Sequence, residues 1–298
     1  MPKPTRPTNQ PPGIYHFALG DIVVTALNDG MLGDDSFNFF DVVTNLPKTE
    51  AEALHRAAFR ALPPRLSVNA FLMYLSDKLV LVDSGCGANM GPTLGRLAGN
   101  LAAIGVMPQD IDTILVTHLH PDHVGGLVDA TGDAVFPNAE LVVHAADATY
   151  WSDDEVLAQA ANEQDKQFVL LARATLAAYR NRTRTVTNGE ALPGITAMPA
   201  PGHTPGHTGW LVASGSDTLL IWGDVVHLPG VQFAHPEAGM AFDVDGTQAI
   251  ATRRRLMDMA ATDRLRVTGM HLDFPGFGHV IRAGNAYAFV PEVWTASV

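Results

Sequence analysis

The sequence predicts an α+β chain built as a four-layer αβ/βα sandwich: two packed mixed β-sheets with helices on the outside. Three observations lead there. Apolar, β-branched runs of strand length recur through both half-chains, with helical patterns set between them. No short internal repeat and no linker divides the 298 residues. With 47% hydrophobic residues, the chain can bury a sizeable core.

In chain order, residues 1–13 are polar and Pro-rich and read as a disordered arm, leaving 14–298 as a single domain. Residues 15–28 read as two strands around the turn Leu19-Gly20-Asp21, and 49–62 as an Ala-rich helix. Residues 70–75 and 78–83 form a hairpin, and a helix follows over 92–104. Residues 111–116 are apolar and β-branched, the mark of a buried strand, and another strand covers 139–144. Residues 166–180 repeat Phe168, Leu171, Thr175 and Tyr179 at helical spacing. That helix either packs on the core or caps a site. Strands are expected at 195–198, 209–213, 218–222 and 266–270, and a helix at 247–261.

The segment 117–126, T-H-L-H-P-D-H-V-G-G, places His118, His120, Asp122 and His123 within six positions at the end of the 111–116 strand. Neutral imidazole and carboxylate are good ligands for zinc and similar divalent ions. Crowded without a metal, such groups would be costly to desolvate and would repel once protonated. Pro121 argues against helix across the motif. In an extended stretch His118 and His120 point to one side and can grip one ion. Asp122 and His123 follow the bend and can face a second. Gly125 and Gly126 allow close backbone approach.

Three more strand ends deliver ligand-type residues. The loop 199–207, P-A-P-G-H-T-P-G-H, is punctuated by Gly and Pro and carries His203 at its tip. The strand at 218–222 ends in Gly223-Asp224; taken alone, such a carboxylate reads as a cap or turn residue. The strand at 266–270 runs into His271, which alone would read as structural. The repetition across independent strands is what favours a metal site.

Together these residues resemble the metallo-β-lactamase superfamily. His118 to His123 match its HxHxDH motif, and His203, Asp224 and His271 follow in its order and approximate spacing. Asp83, in L-V-D-S-G, matches its early structural motif. P-G-H-T-P-G-H-T, G-V-Q-F at 230–233 and H-L-D-F-P-G-F-G-H are similar to the methyl parathion hydrolase branch, which also includes lactone hydrolases. The resemblance implies a catalytic domain of that fold with two divalent metal ions, zinc first, with manganese, cobalt or iron as alternatives. His118, His120 and His203 would hold one. Asp122, His123 and His271 would hold the other. Asp224 would bridge them together with a hydroxide, and His207 and Asp83 would support the ligands from behind. Metal-bound water has a pKa lowered from about 15.7 towards 7, which makes hydroxide available at neutral pH.

Other members fit less well. The β-lactamases proper lack this bridging Asp, and some use a Cys ligand; the single cysteine, Cys86, reads as a buried or half-buried small residue. The superfamily's nucleases need an inserted domain, and its flavin-linked diiron members a second domain. Glyoxalase-type thioesterases share the ligand set, but their basic glutathione-binding residues are not evident near the C-terminus. A net charge of −12 argues against nucleic acid as partner. The basic run 253–255 reads as a solvated helix face or a salt-bridge set. No stretch is long enough to span a membrane, and the start lacks a secretory core. A cytoplasmic enzyme is expected, with an exported form trimmed of its leader as the alternative and a homodimer compatible with the sequence.

Substrate choice rests on the flanks. By resemblance Trp151, Phe168 and the loop 232–242, including Phe242, would line an apolar, aromatic pocket. His227, three residues after Asp224, falls where the methyl parathion hydrolase type carries an apolar residue. It is either a structural neighbour of the metals or a donor to an ester oxygen or leaving group. His227 and a narrowing Phe242 favour a lactone or aryl ester over an organophosphate triester. The expected reaction is lactone opening by attack of the bridging hydroxide, with Asp122, Asp224 and His227 catalytic. Phosphotriester hydrolysis is the alternative, and a non-catalytic metal-binding protein the remote one.

Overall fold

The structure, a computed structural model, describes residues 6–8, 10–33 and 37–298. Residues 6–8 and 10–13 carry no regular structure, and the rest of the expected N-terminal arm lies outside the described residues. Among the described residues two seven-stranded sheets dominate. The first runs, in spatial order, Ile14–Leu19, Ile22–Leu32, Leu66–Tyr74, Leu79–Val82, Thr113–Leu115, Glu140–His144 and Thr183–Val186. Its first four strands are antiparallel and its last three pairings parallel. The second runs Ala286–Pro291, Gly278–Ala283, Arg266–Thr268, Asp217–Ile221, Thr208–Ser214, Ile195–Pro199 and Gly189–Leu192. It is antiparallel except where Asp217–Ile221 pairs with Arg266–Thr268. Both sheets are therefore mixed, as the sequence predicts.

The layers follow from side-chain alternation along the strands. Phe71, Met73, Val80, Val82, Leu115 and Val142 face inward and pack against Trp210, Val212, Leu219 and Ile221 of the second sheet. Their neighbours Leu72, Leu81, Ile114, Leu141 and Val143 face outward. These pack against Leu97 and Leu101 of the helix Leu97–Ala103, Trp151 of Ala145–Ser152, and Val169 and Ala172 of Glu163–Ala178. On the far side Leu220, Trp222 and Val267 meet Leu256, Met257 and Ala260 of the helix Gly246–Thr262. Strands buried on both faces read as unbroken apolar runs, and those are the runs visible in the sequence.

Several boundaries and faces differ from expectation. The helix expected over 49–62 is Lys48–Ala57, because the chain turns left-handed at Phe59 (φ 57°). The helix expected over 92–104 is only Leu97–Ala103. Ahead of it the Asp29 carboxylate accepts the N–H groups of Gly95 and Leu97 at 3.1 and 2.9 Å and sets the start. Residues 121–124 are helical, against the reading of Pro121 as a breaker. Pro121 occupies the first helical position, where no N–H donor is needed. In Glu163–Ala178 the buried residues are Val169, Ala172 and Thr175; of the four spaced residues Thr175 and Tyr179 are buried, as core packing requires, while Phe168 and Leu171 are half-buried.

The basic run also departs from its reading. Arg253 is not a solvated residue but is 1% exposed. Its Nε donates to Val225 O at 2.7 Å, and Nη1 donates to Pro236 O and Ala238 O at 2.9 Å each. It thereby ties the segment after Asp224 to the loop leading to Phe242. Arg254 does pair with Glu237, as a salt-bridge face requires, and Arg255 donates to Pro199 O. Cys86 is fully buried, as expected.

Candidate metal centre

All seven predicted ligand residues meet at one edge of the sandwich, where strands of both sheets end. After Thr113–Leu115 the chain continues extended through His118 and His120 before the short helix Pro121–Val124. The loop between Ile195–Pro199 and Thr208–Ser214 brings His203 across from the second sheet. His118 Nε2, His120 Nδ1 and His203 Nε2 lie 2.9, 2.9 and 3.1 Å from one another. Three ring nitrogens aimed at one another cannot all be satisfied by N–H···N bonds within the trio. A cation that takes all three lone pairs resolves the conflict.

Beside this trio stands a second group, Asp122, His123, Asp224 and His271. The short helix turns Asp122 and His123 away from His120, and His271 arrives just after Arg266–Thr268. Asp122 Oδ2 is 3.3 Å from His271 Nε2 and 3.5 Å from His123 Nε2. Asp224 Oδ2 is central: it lies 3.1 Å from His271 Nε2, 3.2 Å from His123 Nε2 and 3.4 Å from His203 Nε2. His123 Nε2 and Asp224 Oδ1 are buried without a hydrogen-bond partner. Buried polar atoms are rarely left so, and a metal-ligand role accounts for both. The donor set of imidazole and carboxylate suits zinc and its neighbours.

The outward nitrogens are fixed by the scaffold. His123 Nδ1–H donates to Asp83 Oδ2 at 2.7 Å, and Asp83 also accepts Thr117 N–H at 2.7 Å. His271 Nδ1–H donates to Ser67 O at 2.8 Å. His203 Nδ1–H donates to Asp243 Oδ1 at 2.8 Å. His207 lies behind the trio, with Nδ1 on Ala200 O and Nε2 accepting the Asp224 N–H. Close backbone packing accompanies this. A Cβ on Gly126 would fall 2.3 Å from Ser84 O, and one on Gly223 (φ 62°) would fall 2.3 Å from His207 Nε2.

Burial lowers the pKa of His118 and His120 well below the ordinary value; it takes His207 down to about 3 and His227 to about 4. These rings present neutral nitrogens. Burial opposes charge on His203 and His271 too. Asp224 with Asp243 outweighs it and raises His203 to about 9, and Asp224 with Asp122 raises His271 to about 10. Cations and protons therefore compete for the same nitrogens.

The rim is aromatic and partly open. Trp151 meets the His120 ring edge-on at 5.4 Å, and Phe242, 36% exposed, meets His203 and His227 at 5.8 and 5.1 Å. Both thus border the cluster, whereas Phe168 is half-buried and joins no buried apolar cluster. His227 Nε2 lies 3.1 Å from Asp224 Oδ2, its ring stacks on His271 at 5.3 Å, and its Nδ1 has no partner. The sequence reading missed three carboxylates and an arginine: Asp243, Asp29, Arg253 and Asp147. Asp147 accepts Leu119 N–H at 3.1 Å and Gly206 N–H at 2.7 Å, joining the first ligand segment to the His203 loop. No motif marks these positions. Apart from its place beside Phe242, even Asp243 carries no signal.

Known proteins share this architecture. The hydrolase AbOPH, described as a member of the β-lactamase superfamily, superposes with a TM-score of 0.89 at 32% identity, over 96% of this chain and all of its own. AidC, a dizinc quorum-quenching lactonase solved with the product N-hexanoyl-L-homoserine, gives a TM-score of 0.89 at 27% identity, over 95% of this chain and 99% of its own. An N-acyl homoserine lactonase from a Bacillus species is 29% identical over 66% of this chain and 67% of its own length. YobT of Bacillus subtilis is 27% identical over 56% of this chain and 66% of its own, so the match spans about two thirds of these curated relatives. The family model described as the metallo-β-lactamase superfamily matches residues 63–271, from just before the strand Leu66–Tyr74 to His271. With that match and the geometry of the cluster, the chain belongs to the metallo-β-lactamase superfamily.

Proposed function

We propose that this chain is a dinuclear metal-dependent hydrolase that opens lactones, with acylated homoserine lactones as the first candidates. One observation carries the dinuclear reading: Asp224 Oδ2 lies within 3.1–3.4 Å of imidazoles from both ligand groups. In this reading His118, His120 and His203 hold one ion, Asp122, His123 and His271 the other, and Asp224 is shared. Such a pair of ions lowers the pKa of water from about 15.7 towards 7 and polarises a substrate carbonyl. In this reading the catalytic unit is 14–298: the ligands come from 118–271, and Ser67 of the first sheet holds His271.

The remaining chemistry falls to the chain. Water adds its oxygen to the lactone carbonyl carbon, the ring C–O bond breaks, and one proton must reach the leaving alkoxide. Asp122 is suited to carry that proton. Its side chain, at 14% exposed, is the more open of the two carboxylates in the cluster. His227 is suited to steady the leaving oxygen through Nε2–H, the nitrogen on the cluster side, 3.1 Å from Asp224 Oδ2, since the ring is neutral and buried. Trp151 and Phe242 offer apolar faces for the acyl portion on two sides of the cluster. The lactone preference over phosphotriesters rests on His227 and on Phe242 narrowing the mouth. It is also supported by AidC and the Bacillus lactonase.

The test is a panel of lactones, aryl esters, phosphotriesters and β-lactams, assayed after loading with zinc, manganese or cobalt. Lactones should show the highest kcat/KM. Faster turnover of phosphotriesters would replace this reading with that of an organophosphate triester hydrolase.

A further inference from the structure

We propose that Asp243 is a positioning residue that selectively sets the affinity of the ion held by His118, His120 and His203; the inference rests on the two-ion reading above. Its carboxylate accepts the Nδ1–H of His203 at 2.8 Å, and its side chain is 1% exposed. The other oxygen accepts Met240 N–H at 3.0 Å. A carboxylate behind a ligand imidazole fixes the ring's tautomer and direction and makes the inward nitrogen a stronger donor.

The two ligand groups are unequal in a way that gives Asp243 its role. The second group contains a carboxylate of its own, Asp122, besides its share of Asp224. The first consists of three imidazoles and shares only Asp224. Each group has one imidazole backed by a carboxylate: His123 by Asp83 and His203 by Asp243. Asp122 and Asp224 also act on the all-imidazole group through His120, but Asp243 is the carboxylate that accepts a hydrogen bond from the outward nitrogen of one of its rings. Buried as it is, the charge is poorly screened.

The loop is also braced to His203 through the backbone. Val244 N–H donates to His203 O at 3.1 Å and Asp245 N–H to Gly202 O at 2.8 Å. Phe242, the neighbour of Asp243, places its ring against His203. The segment that orients a metal ligand is thus the segment that forms the rim of the pocket.

Asp243→Asn keeps the size and removes the charge, and its single carbonyl can accept from Met240 N–H or from His203 Nδ1–H but not both. Zinc binding is measured by titration against a chromophoric chelator. Zinc anomalous occupancy in crystals at limiting metal tells which ion is lost. The parent should bind two ions. Asp243→Asn should bind the ion at His118, His120 and His203 about 10–100-fold more weakly, with the other ion unchanged. Asp83→Asn should weaken the other ion more, since Asp83 touches His123 directly and His118 only through the Thr117 hydroxyl. Asp243→Glu, which restores charge, should recover part of the loss, which a role confined to Met240 would not produce. Parent-like binding of both ions by Asp243→Asn, or equal weakening of both, overturns the inference. A parent that binds only one ion overturns the two-ion reading instead, and the selective effect with it.

Discussion

His207 Nε2 accepts the backbone N–H of Asp224 at 2.9 Å, while its Nδ1 is engaged by Ala200 O at 2.8 Å. Both nitrogens of this ring are spent on the chain, so it has none for an ion although it stands next to His203, 5.7 Å between ring centroids. His203 instead aims Nε2 into the cluster. His203→Ala should therefore lose metal and nearly all activity. His207→Ala should keep most of its metal and lose roughly 10–100-fold in activity, the range for groups that support ligands from behind. Metal analysis beside kcat/KM separates the two; the opposite ranking would mean that the loop has been assigned the wrong way round.

The clustered His and Asp residues are legible because they sit at strand ends in a fixed order, and strand ends are marked by apolar runs breaking into Gly, Pro and polar residues. The doubly buried strands were readable for the same reason. What was not readable came from partners chosen by folding. Asp243 finds His203 forty positions away, Ser67 O finds His271 from the other sheet, and Arg253 sits in a basic run that looks solvated. The strands Thr183–Val186, Gly189–Leu192, Gly278–Ala283 and Ala286–Pro291 also escaped notice. They lie at or near the sheet margins and mix polar with apolar residues, so tertiary pairing rather than local pattern makes them strands.

Arg253 offers a test of the scaffold apart from the chemistry. Replacing it with Met removes the donors to Val225 O, Pro236 O and Ala238 O while filling most of the space. Buried acceptors left unpaired cost about 1–3 kcal/mol each. Arg253→Met should lower the midpoint of thermal unfolding by several degrees, and Arg254→Met, on the half-exposed Glu237 pair, should hardly move it. Equal melting curves for Arg253→Met and the parent would show that the three carbonyls find other partners.

Metal content and stability should move together. Protein purified without chelator should contain close to two transition-metal ions per chain. An ion bound by the folded chain and not by the unfolded one stabilises it by mass action, about 4 kcal/mol at a free concentration 1,000 times Kd. Dialysis against a strong chelator should lower the unfolding midpoint, and zinc should restore it. One ion per chain in fully active protein would end the dinuclear reading.

His227 offers a test of the substrate class. Its Nε2 lies 3.1 Å from Asp224 Oδ2, the oxygen common to both ligand groups, and its ring faces Phe242 at the rim. Gln232 Oε1 accepts its backbone N–H at 2.7 Å, so the main chain holds its position besides the ring contacts. A substitution of the ring should therefore leave the loop in place. A lactone expels an alkoxide, a poor leaving group that gains from a nearby donor; a phosphotriester carrying a nitrophenol-type group gains much less. His227→Leu should lower lactone kcat/KM by about 10²-fold or more and leave phosphotriester turnover unchanged or raised. Metal content should stay at the parent level, because the seven ligands remain. Loss of an ion in the variant would make His227 a ligand, which its place beside His203 and Asp224 also permits. Parent-like lactone turnover would make it structural and remove the main support for lactones over phosphotriesters.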